Sequence, residues 1–342
     1  MKDQAIWALG NIAADSTPFR DFILGQKGID GLIHAVTFGT LRIQITGVWC
    51  ISILCQGKPS PSFDMLIKFV PTLYTLIKDK NVSEQVKIDA CWSLAHITDI
   101  GIIQVTYLLN SKLHEYVLPL LSNSSEALQT PIIRIAGNIS TGDQACCQLI
   151  LDYNCLLVFK NILSYSHNER ILREVCWTIS NIAAGTQKQI QKIIDTNGLI
   201  DTLVNRIIDF PISAQKEGAW IITNIASEAT AEQIQSIVRF GVIQMFSELL
   251  CIEDQNLILI ILEGLEYICN SGENIKQLTG LSNIYLQYLE EAGGLSMLYR
   301  ISNYSNSILQ DAANRFLEMF EIDDDGMEDE LIIPSHIKDL SF

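Results

Sequence analysis

Apolar residues recur along the chain at the three- and four-residue spacing of helices that bury one face. The first stretch shows this spacing at Ile6, Leu9, Ile12 and Ala13. Short segments rich in Gly, Asp, Ser or Thr interrupt the pattern, as in residues 14–18 and 140–143. Strand-like alternation is nearly absent. The pattern therefore predicts an all-α protein of many short helices joined by tight turns.

A similar sequence motif recurs at a nearly constant interval. Residues 5–13 read AIWALGNIA, residues 176–183 read CWTISNIA and residues 219–226 read AWIITNIA. Seven such blocks lie 42 or 43 residues apart, with anchor positions at Trp7, Trp49, Trp92, Arg134, Trp177, Trp220 and Glu263. We call the helix that carries each of these residues an anchor helix.

A repeat of this length, made of two or three helices, is typical of the armadillo and HEAT classes. We therefore predict an armadillo-repeat solenoid, a right-handed superhelix of about seven to eight repeats of 42–43 residues. It extends over residues 1–320 with a truncated first repeat, and an acidic, disordered tail follows at 321–342. Glycines in equivalent slots predict helix corners with a positive φ, at Gly28, Gly198, Gly241 and Gly293.

The net charge of the chain indicates which classes of partner it can bind. The chain has 342 residues, with 39 Asp and Glu against 23 Lys and Arg, for a net charge of −16. An acidic surface repels nucleic-acid phosphates and attracts cationic partners. No apolar run approaches the roughly 18 residues of a membrane-spanning helix. We expect neither nucleic acid nor membrane as a partner.

Catalytic and metal-binding signatures are missing from the sequence. There is no HExxH, GxSxG or Walker pattern, and the five histidines do not fall near other ligands at metal-binding spacing. The nine cysteines show no CxxC spacing, which favours reduced thiols buried in the core. We therefore predict no enzymatic activity, no cofactor and no metal.

Tryptophan and asparagine recur four residues apart, on one helix face, in the pairs Trp7/Asn11, Trp177/Asn181 and Trp220/Asn224. Such a face either fills the core or lines a groove. The groove is favoured because mid-helix Asn is costly to bury without partners. Asn amides can hold an extended backbone, and indoles can flank Lys or Arg side chains. Nearby acids complete the face, at Asp15, Asp89, Glu174 and Glu217.

Several phrases resemble the importin-alpha (karyopherin-alpha) family of nuclear import adaptors. They are residues 5–13, the QGKPSPSF of 56–63, the GNISTGD of 137–143, the CWTISNIAAG of 176–185 and the EEAGGL of 290–295. The resemblance covers residues 3 to 320. It implies an adaptor that binds Lys/Arg-rich nuclear localisation signals of cargo proteins, in extended form, along a concave Trp/Asn groove.

The resemblance also implies two sets of signal-binding residues. The set that matches the minor site comprises Trp177, Asn181, Trp220, Asn224, Glu174, Glu217, Ser180 and Asn138. The set that partly matches the major site comprises Trp7, Asn11, Asp15, Trp49, Trp92 and Asp89. Ile53 differs from the family, which has Asn at the equivalent position. Arg134 takes the place of the repeated tryptophan, as an arginine does in the family pattern.

The resemblance implies importin-beta and a nuclear export receptor as partners, and shuttling between cytoplasm and nucleus. Family members begin with a basic importin-beta-binding segment and earlier repeats, for which this sequence has no counterpart. We therefore do not expect binding of importin-beta through the N-terminus of this chain. The last repeats and the acidic tail would contact the export receptor.

Two other functions stay open for the same groove. One is a reduced or decoy scaffold that sequesters basic peptides without importin-beta-dependent delivery. The other is an adhesion or signalling scaffold of the beta-catenin type, although such scaffolds generally offer basic grooves.

Overall fold

The structure is a computed structural model that describes residues 2–123 and 125–322. All regular elements in these residues are helices, 22 of them α-helices, which confirms the all-α prediction. The chain divides into two compact units, residues 1–182 and 183–342. Of the predicted acidic tail, residues 323–342 lie outside the described residues.

The first unit contains one anchor helix followed by four sets of three helices. The anchor helices are α1 (Lys2–Asp15), α4 (Leu41–Cys55), α7 (Glu84–Thr98), α10 (Glu126–Ser140) and α13 (Glu169–Ala183). The other helices of the sets are α2 (Thr17–Leu24), α3 (Gly28–Phe38), α5 (Phe63–Leu66), α6 (Val70–Lys78), α8 (Ile102–Asn110), α9 (His114–Val117), α11 (Gln144–Asp152) and α12 (Cys155–Tyr165). Short 3₁₀ segments at Ile67–Phe69 and Leu118–Asn123 adjoin α5 and α9.

The second unit contains three further sets of three helices. Its anchor helices are α16 (Ile212–Glu228) and α19 (Gln255–Thr279), and α22 (Ser307–Met319) is the third helix of the last set. The other helices are α14 (Gln187–Asp195), α15 (Leu199–Arg206), α17 (Ala231–Arg239), α18 (Val242–Leu249), α20 (Ile284–Glu291) and α21 (Gly294–Ser302), with a 3₁₀ segment at Ile207–Asp209. Each repeat of the sequence is therefore one set of three helices.

In five of the seven sets, the corner between the first and second helices contains a left-handed residue. The prediction is confirmed at Gly198, Gly241 and Gly293, whose φ angles are 74°, 89° and 76°. It is wrong for Gly28, which is the first residue of α3 and has no positive φ. In two other sets the left-handed residue is Lys112 or Asn154, with φ of 58° and 54°. These two corners had no glycine to mark them in the sequence.

Successive anchor helices pack side by side within each unit. Helices α1, α4, α7 and α10 contact one another in order, as do α16 and α19, and α22 contacts α19. The residue just before the anchor tryptophan faces this core and is fully buried, at Val48, Cys91, Cys176 and Ala219. The tryptophans that follow them are only part-buried. One helical step therefore separates the core from the anchor face, so the indoles are not sealed between layers.

Glycine allows two of the indoles to lie directly against the preceding anchor helix. A Cβ atom built on Gly137 would collide with the indole of Trp177, and one on Gly10 would collide with that of Trp49. Each glycine lies three residues after its own anchor position. Only glycine leaves room there for the ring, so these positions fix where each indole rests.

Among the described residues, no single helix is both long and apolar enough to cross a membrane. One pair, α11 and α12, passes that test together but is bent by 73° between its members.

We predict that Gly137→Ala destabilises the protein by about 1–2 kcal/mol, because the new methyl group displaces the indole of Trp177. The matched control is Gly31→Ala, an exposed position in α3 with no atom within 4 Å of the added Cβ. Alanine there should stabilise the helix by about 0.5–1 kcal/mol. Thermal unfolding measures both variants. Equal shifts of the melting temperature would contradict the packing described for Gly137.

Candidate functional site

The anchor face begins with exposed groups on α1. Trp7 is 56% exposed, and its backbone carbonyl accepts a hydrogen bond of 2.8 Å from the amide nitrogen of Asn11. Asp15 is exposed at the end of this helix. On α4, Trp49 is part-buried against Gly10, and Ile53 offers no amide four residues on. This part of the predicted major-site set is accessible but has only one Trp/Asn pair.

The face continues on α7 with a different ring partner. His96 stacks near Trp92, with ring centroids 5.8 Å apart and an angle of 27° between the planes. Burial lowers the pKa of His96 to about 4, with Arg170 and Arg134 adding to the effect and Asp99 opposing it. Burial also raises the pKa of Asp89, which accepts a 3.5 Å hydrogen bond from Gln85. At neutral pH the ring of His96 therefore carries no charge.

The anchor arginine holds two carboxylates within the first unit. Arg134 donates hydrogen bonds to both carboxylate oxygens of Glu174 at 2.9 and 2.8 Å, and to Asp99 at 2.8 Å. Glu174 also accepts a 3.1 Å bond from Arg173 and is only 2% exposed. Burial alone disfavours the charged form of Arg134, but ion pairing with Glu174 and Asp99 raises its pKa above the usual range. The charge of Glu174 is therefore balanced by arginines of the chain itself.

Trp177 lies over this ion-pair network. The guanidinium carbon of Arg134 is 5.1 Å from the centroid of the indole, a cation–π distance. The amide nitrogen of Asn181, one turn further on, donates a 3.1 Å hydrogen bond to the hydroxyl of Ser140. Trp177 and Asn181 are both part-buried and keep part of their surface open.

Two predicted site residues of the first unit are buried and bonded within the chain. Asn138 is 4% exposed, and its amide nitrogen donates to the carbonyl of Ala95 at 3.0 Å and to the hydroxyl of Thr98 at 2.8 Å. Ser180 is also 4% exposed, and its hydroxyl donates to the carbonyl of Trp177 at 2.9 Å. The donors of Asn138 therefore join α10 to α7, which leaves its carbonyl oxygen for any other contact.

A cavity of about 250 Å³ opens between α7 and α13 within the first unit. Its lining includes Trp92, His96, the Arg134 network and the loop that follows α4. Buried Arg20 holds this loop by hydrogen bonds of 2.7 and 2.9 Å to the carbonyls of Gln56 and Pro59. The cavity thus has a wall that is fixed from the core side.

In the second unit, α16 carries the equivalent tryptophan. Trp220, Glu217 and Asn224 are part-buried, and the latter two also take part in interactions within the chain. The neighbouring Lys216 pairs with Asp254 at 2.9 Å. Thr223, on the buried side, donates a 3.0 Å hydrogen bond to the carbonyl of Ile260 on α19. The indole again lies at the edge of a packed helix pair.

Carboxylates gather on the anchor helices of the second unit. The hydroxyl of Tyr267 lies 3.4 Å from Glu263, which holds the anchor position of α19. Burial raises the pKa of Tyr267, and the negative charges of Glu263, Glu266 and Glu228 raise it further. Glu266 pairs with Arg315 at 2.8 Å. The face of α16 and α19 is therefore acidic.

Sequence reasoning identified Arg134 but missed three other cations of the cavity. Arg173 and Arg170 lie about one and two turns before Trp177 on α13, and Lys58 lies in the loop after α4. The spacings of four and seven residues from the tryptophan were a usable signal for the two arginines. No pattern in the sequence could place Lys58 near Asp99, to which it pairs at 3.3 Å.

Comparison with known proteins identifies the class to which this fold and face belong. The family model "Armadillo/beta-catenin-like repeat" matches residues 143–184. A designed armadillo repeat protein, solved in complex with the peptide (KR)4, superposes with a TM-score of 0.63 and 27% identity over 73% of this chain and 98% of that one. The protein is an armadillo-repeat protein, as predicted.

Two curated relatives narrow the class. Importin subunit alpha-1b of Oryza sativa subsp. japonica is 34% identical over 331 residues, which cover 96% of this chain and 61% of the relative. Importin subunit alpha-8 of Arabidopsis thaliana is 30% identical over 320 residues, which cover 93% of this chain and 71% of the relative. The chain belongs to the importin-alpha family, and it spans 61% of the length of the rice relative. Importin-alpha and armadillo proteins are non-enzymatic adaptors and scaffolds, which confirms the prediction that this protein is not an enzyme.

The buried ring of His96 predicts a pH dependence of stability. Between its ordinary pKa of 6.5 and the folded value of about 4, the unfolded chain takes up a proton that the folded chain does not. The free energy of unfolding should therefore fall by roughly 3 kcal/mol as the pH drops through this window. His96→Gln should remove that part of the dependence, whereas His34→Gln, at an exposed position, should keep it. Superimposable pH profiles for wild type and His96→Gln would contradict the burial of the neutral ring.

Proposed function

We propose that the protein is a nuclear import adaptor that binds the Lys/Arg-rich nuclear localisation signals of cargo proteins in extended form. The observation that supports this most directly is the position of Trp177 and Trp220, whose indoles lie at the edge of packed anchor helices and are followed by Asn181 and Asn224. Membership of the importin-alpha family supports it independently. So does the likeness to a designed repeat protein in complex with (KR)4.

The proposed contacts divide by chemical type. Each part-buried indole offers a flat face to the aliphatic stem and the charged head of a Lys or Arg side chain. Each asparagine offers its carboxamide to the peptide backbone. In the second unit the carboxylates of Glu217, Glu228 and Glu263 add long-range attraction for a cation. We therefore assign the main cationic positions to the anchor faces of α13 and, separately, of α16.

Three of the predicted residues act indirectly in this proposal. Glu174 orients Arg134, which in turn lies against Trp177. Asn138 and Ser180 are bonded within the chain and hold the anchor helices in place. Of the set on α1 to α7, Trp7, Asn11, Asp15, Trp49 and Asp89 form a weaker second position, whereas the indole of Trp92 is covered by Arg170. Ile53 gives no amide to this position, which supports its lower rank.

Delivery distinguishes the adaptor from a sequestering scaffold. An adaptor passes its cargo to importin-beta and returns with a nuclear export receptor, so it shuttles between cytoplasm and nucleus. A sequestering scaffold binds the same basic peptides and has neither partner. The likeness to a designed armadillo repeat protein in complex with the basic peptide (KR)4 is the observation that supports the scaffold as the second candidate.

Peptide binding tests the proposed face. A labelled Lys/Arg-rich peptide should bind the protein, and the affinity should fall with rising salt because the attraction is electrostatic. Trp177→Ala and Trp220→Ala should each weaken binding about tenfold, as expected from the loss of a cation–π wall of ~1–2 kcal/mol. Fluorescence anisotropy measures these affinities, with circular dichroism to confirm that the variants remain folded.

Trp7→Ala is the matched control, because it removes the same side chain from a position that is 56% exposed. It should change the affinity by less than about twofold. A Trp177→Leu variant separates loss of the ring from loss of bulk. If Trp7→Ala weakened binding more than Trp177→Ala, the ranking of the two sets of residues would be wrong.

Capture of importin-beta separates the two functions. The protein is immobilised, loaded with the basic peptide and exposed in parallel to purified importin-beta and to the export receptor. The adaptor function predicts retention of at least one of these partners. Peptide binding with retention of neither would instead establish the sequestering scaffold.

A further inference from the structure

The cavity beside Trp92 has the opposite charge from the protein as a whole. Six charged side chains line it, four positive and two negative: Lys58, Arg134, Arg170, Arg173, Asp99 and Glu174. Because the ring of His96 is neutral at pH 7, the cavity has an excess of two positive charges in a chain whose net charge is −16. A groove that only receives Lys and Arg would have carboxylates in excess at this point.

The two carboxylates of the cavity are already paired. Glu174 binds Arg134 and Arg173, and Asp99 binds Arg134 and Lys58. Neither carboxylate pairs with Arg170 in the part of the chain that the structure describes. An incoming cation would therefore have to compete with existing ion pairs, whereas an incoming anion would find a guanidinium available.

Arg170 covers the indole that a cation would need. Its guanidinium carbon lies 4.1 Å from the centroid of the Trp92 ring, a stacking distance. Burial lowers the pKa of Arg170, with Arg134 and Arg173 adding to the effect and Glu174 opposing it. A stacked guanidinium still has the hydrogen-bond donors at its edge available for a carboxylate.

We propose that the cavity beside Trp92 is an anion-binding position for an acidic side chain of the bound peptide, and that Arg170 determines this specificity. Arg170 takes the place of a cargo cation on the indole and offers its edge to an Asp or Glu carboxylate, or to a phosphorylated serine. The inference rests on the proposed function, because the acidic group belongs to a peptide whose basic residues bind elsewhere on the anchor face.

The distance between the anion-binding cavity beside Trp92 and the cationic position at Trp177 follows from the repeats of the first unit. Trp92 on α7 and Trp177 on α13 are two repeats apart, with α10 between them. Stacked helices lie about 8–10 Å apart and an extended peptide advances about 3.3 Å per residue. The acidic residue should therefore stand about five to six residues from the basic residue that contacts Trp177.

A peptide series tests the charge preference. All peptides share one Lys/Arg cluster and differ only at positions five and six residues away, which hold Glu, phosphoserine, Gln or Lys. Because the chain direction of a bound peptide is not fixed by the cavity, the series is made with the variable pair on either side of the cluster. For one of the two directions, wild type should bind the Glu peptide roughly fivefold more tightly than the Gln peptide, and the Lys peptide most weakly.

Arg170→Ala tests the assigned residue. The advantage of Glu over Gln should fall below about twofold, and the Lys peptide should gain affinity because the indole of Trp92 is uncovered. Arg42→Ala is the matched control, with the same change of charge at a residue that does not line the cavity. It should leave the order of the peptides unchanged. Equal binding of the Glu and Gln peptides by wild type, or a preference for Lys, would overturn the proposal.

A second readout does not depend on peptide binding. Iodide and caesium ions quench tryptophan fluorescence, and the share due to Trp92 is the difference between wild type and Trp92→Phe. Iodide should quench this share more than caesium does, and Arg170→Ala should reduce the difference. If the Lys/Arg cluster alone failed to bind, the proposed function would fail, while quenching would still decide the charge preference of the cavity. Stronger quenching by caesium would overturn the proposal.

Discussion

The structure depends on one packing constraint. In each anchor helix the residue before the anchor position must be buried against the neighbouring anchor helix, while the anchor residue itself stays at the edge of the packed pair. Fully buried Val48, Cys91, Cys176 and Ala219 satisfy the first requirement, and the part-buried tryptophans that follow them satisfy the second. A repeat of 42 or 43 residues returns this pair of positions at each of the seven anchor helices. Gly10 and Gly137 show how little space remains, since neither tolerates a Cβ beneath the next indole.

The anchor faces are alike in their packing but differ in their charge. In the first unit, Arg134 draws Asp99 and Glu174 into ion pairs, so two acids that could attract a cation are neutralised within the chain. In the second unit, burial is the main cause of the raised pKa of Tyr267. The negative charges of the nearby Glu228, Glu263 and Glu266 raise this pKa further. A chain whose net charge is −16 therefore has both acidic and basic positions along its anchor helices. Position along the repeats, rather than net charge, decides the charge that surrounds each tryptophan.

Sequence periodicity was sufficient to predict the helical class, the repeat length and the anchor positions, because one buried face per helix leaves a regular apolar pattern. The left-handed corners at Lys112 and Asn154 had no such signal, since no glycine marks them and the apolar pattern does not report a backbone angle. Gly28 shows the reverse case, because a glycine in the equivalent slot adopts an ordinary helical conformation.

Side-chain partners were harder to predict than positions. The mid-helix Asn138 was expected on the open face, but its amide joins α10 to Ala95 and Thr98 on α7. Such a bond depends on the distance between two helices that are 43 residues apart in sequence, which the spacing of residues within one helix does not contain. The stacking of Arg170 on Trp92 is a contact of the same kind, between α13 and α7.

The central claim is that the anchor faces bind extended cationic peptides, and photo-crosslinking tests it most directly. A Lys/Arg-rich peptide with a photoreactive residue at successive positions is irradiated with the protein, and the adducts are located by mass spectrometry. The account predicts adducts on α13 near Trp177 and Asn181, and on α16 near Trp220 and Asn224. Adducts confined to α11, α12, α14 and α15, with none on the anchor helices, would contradict it.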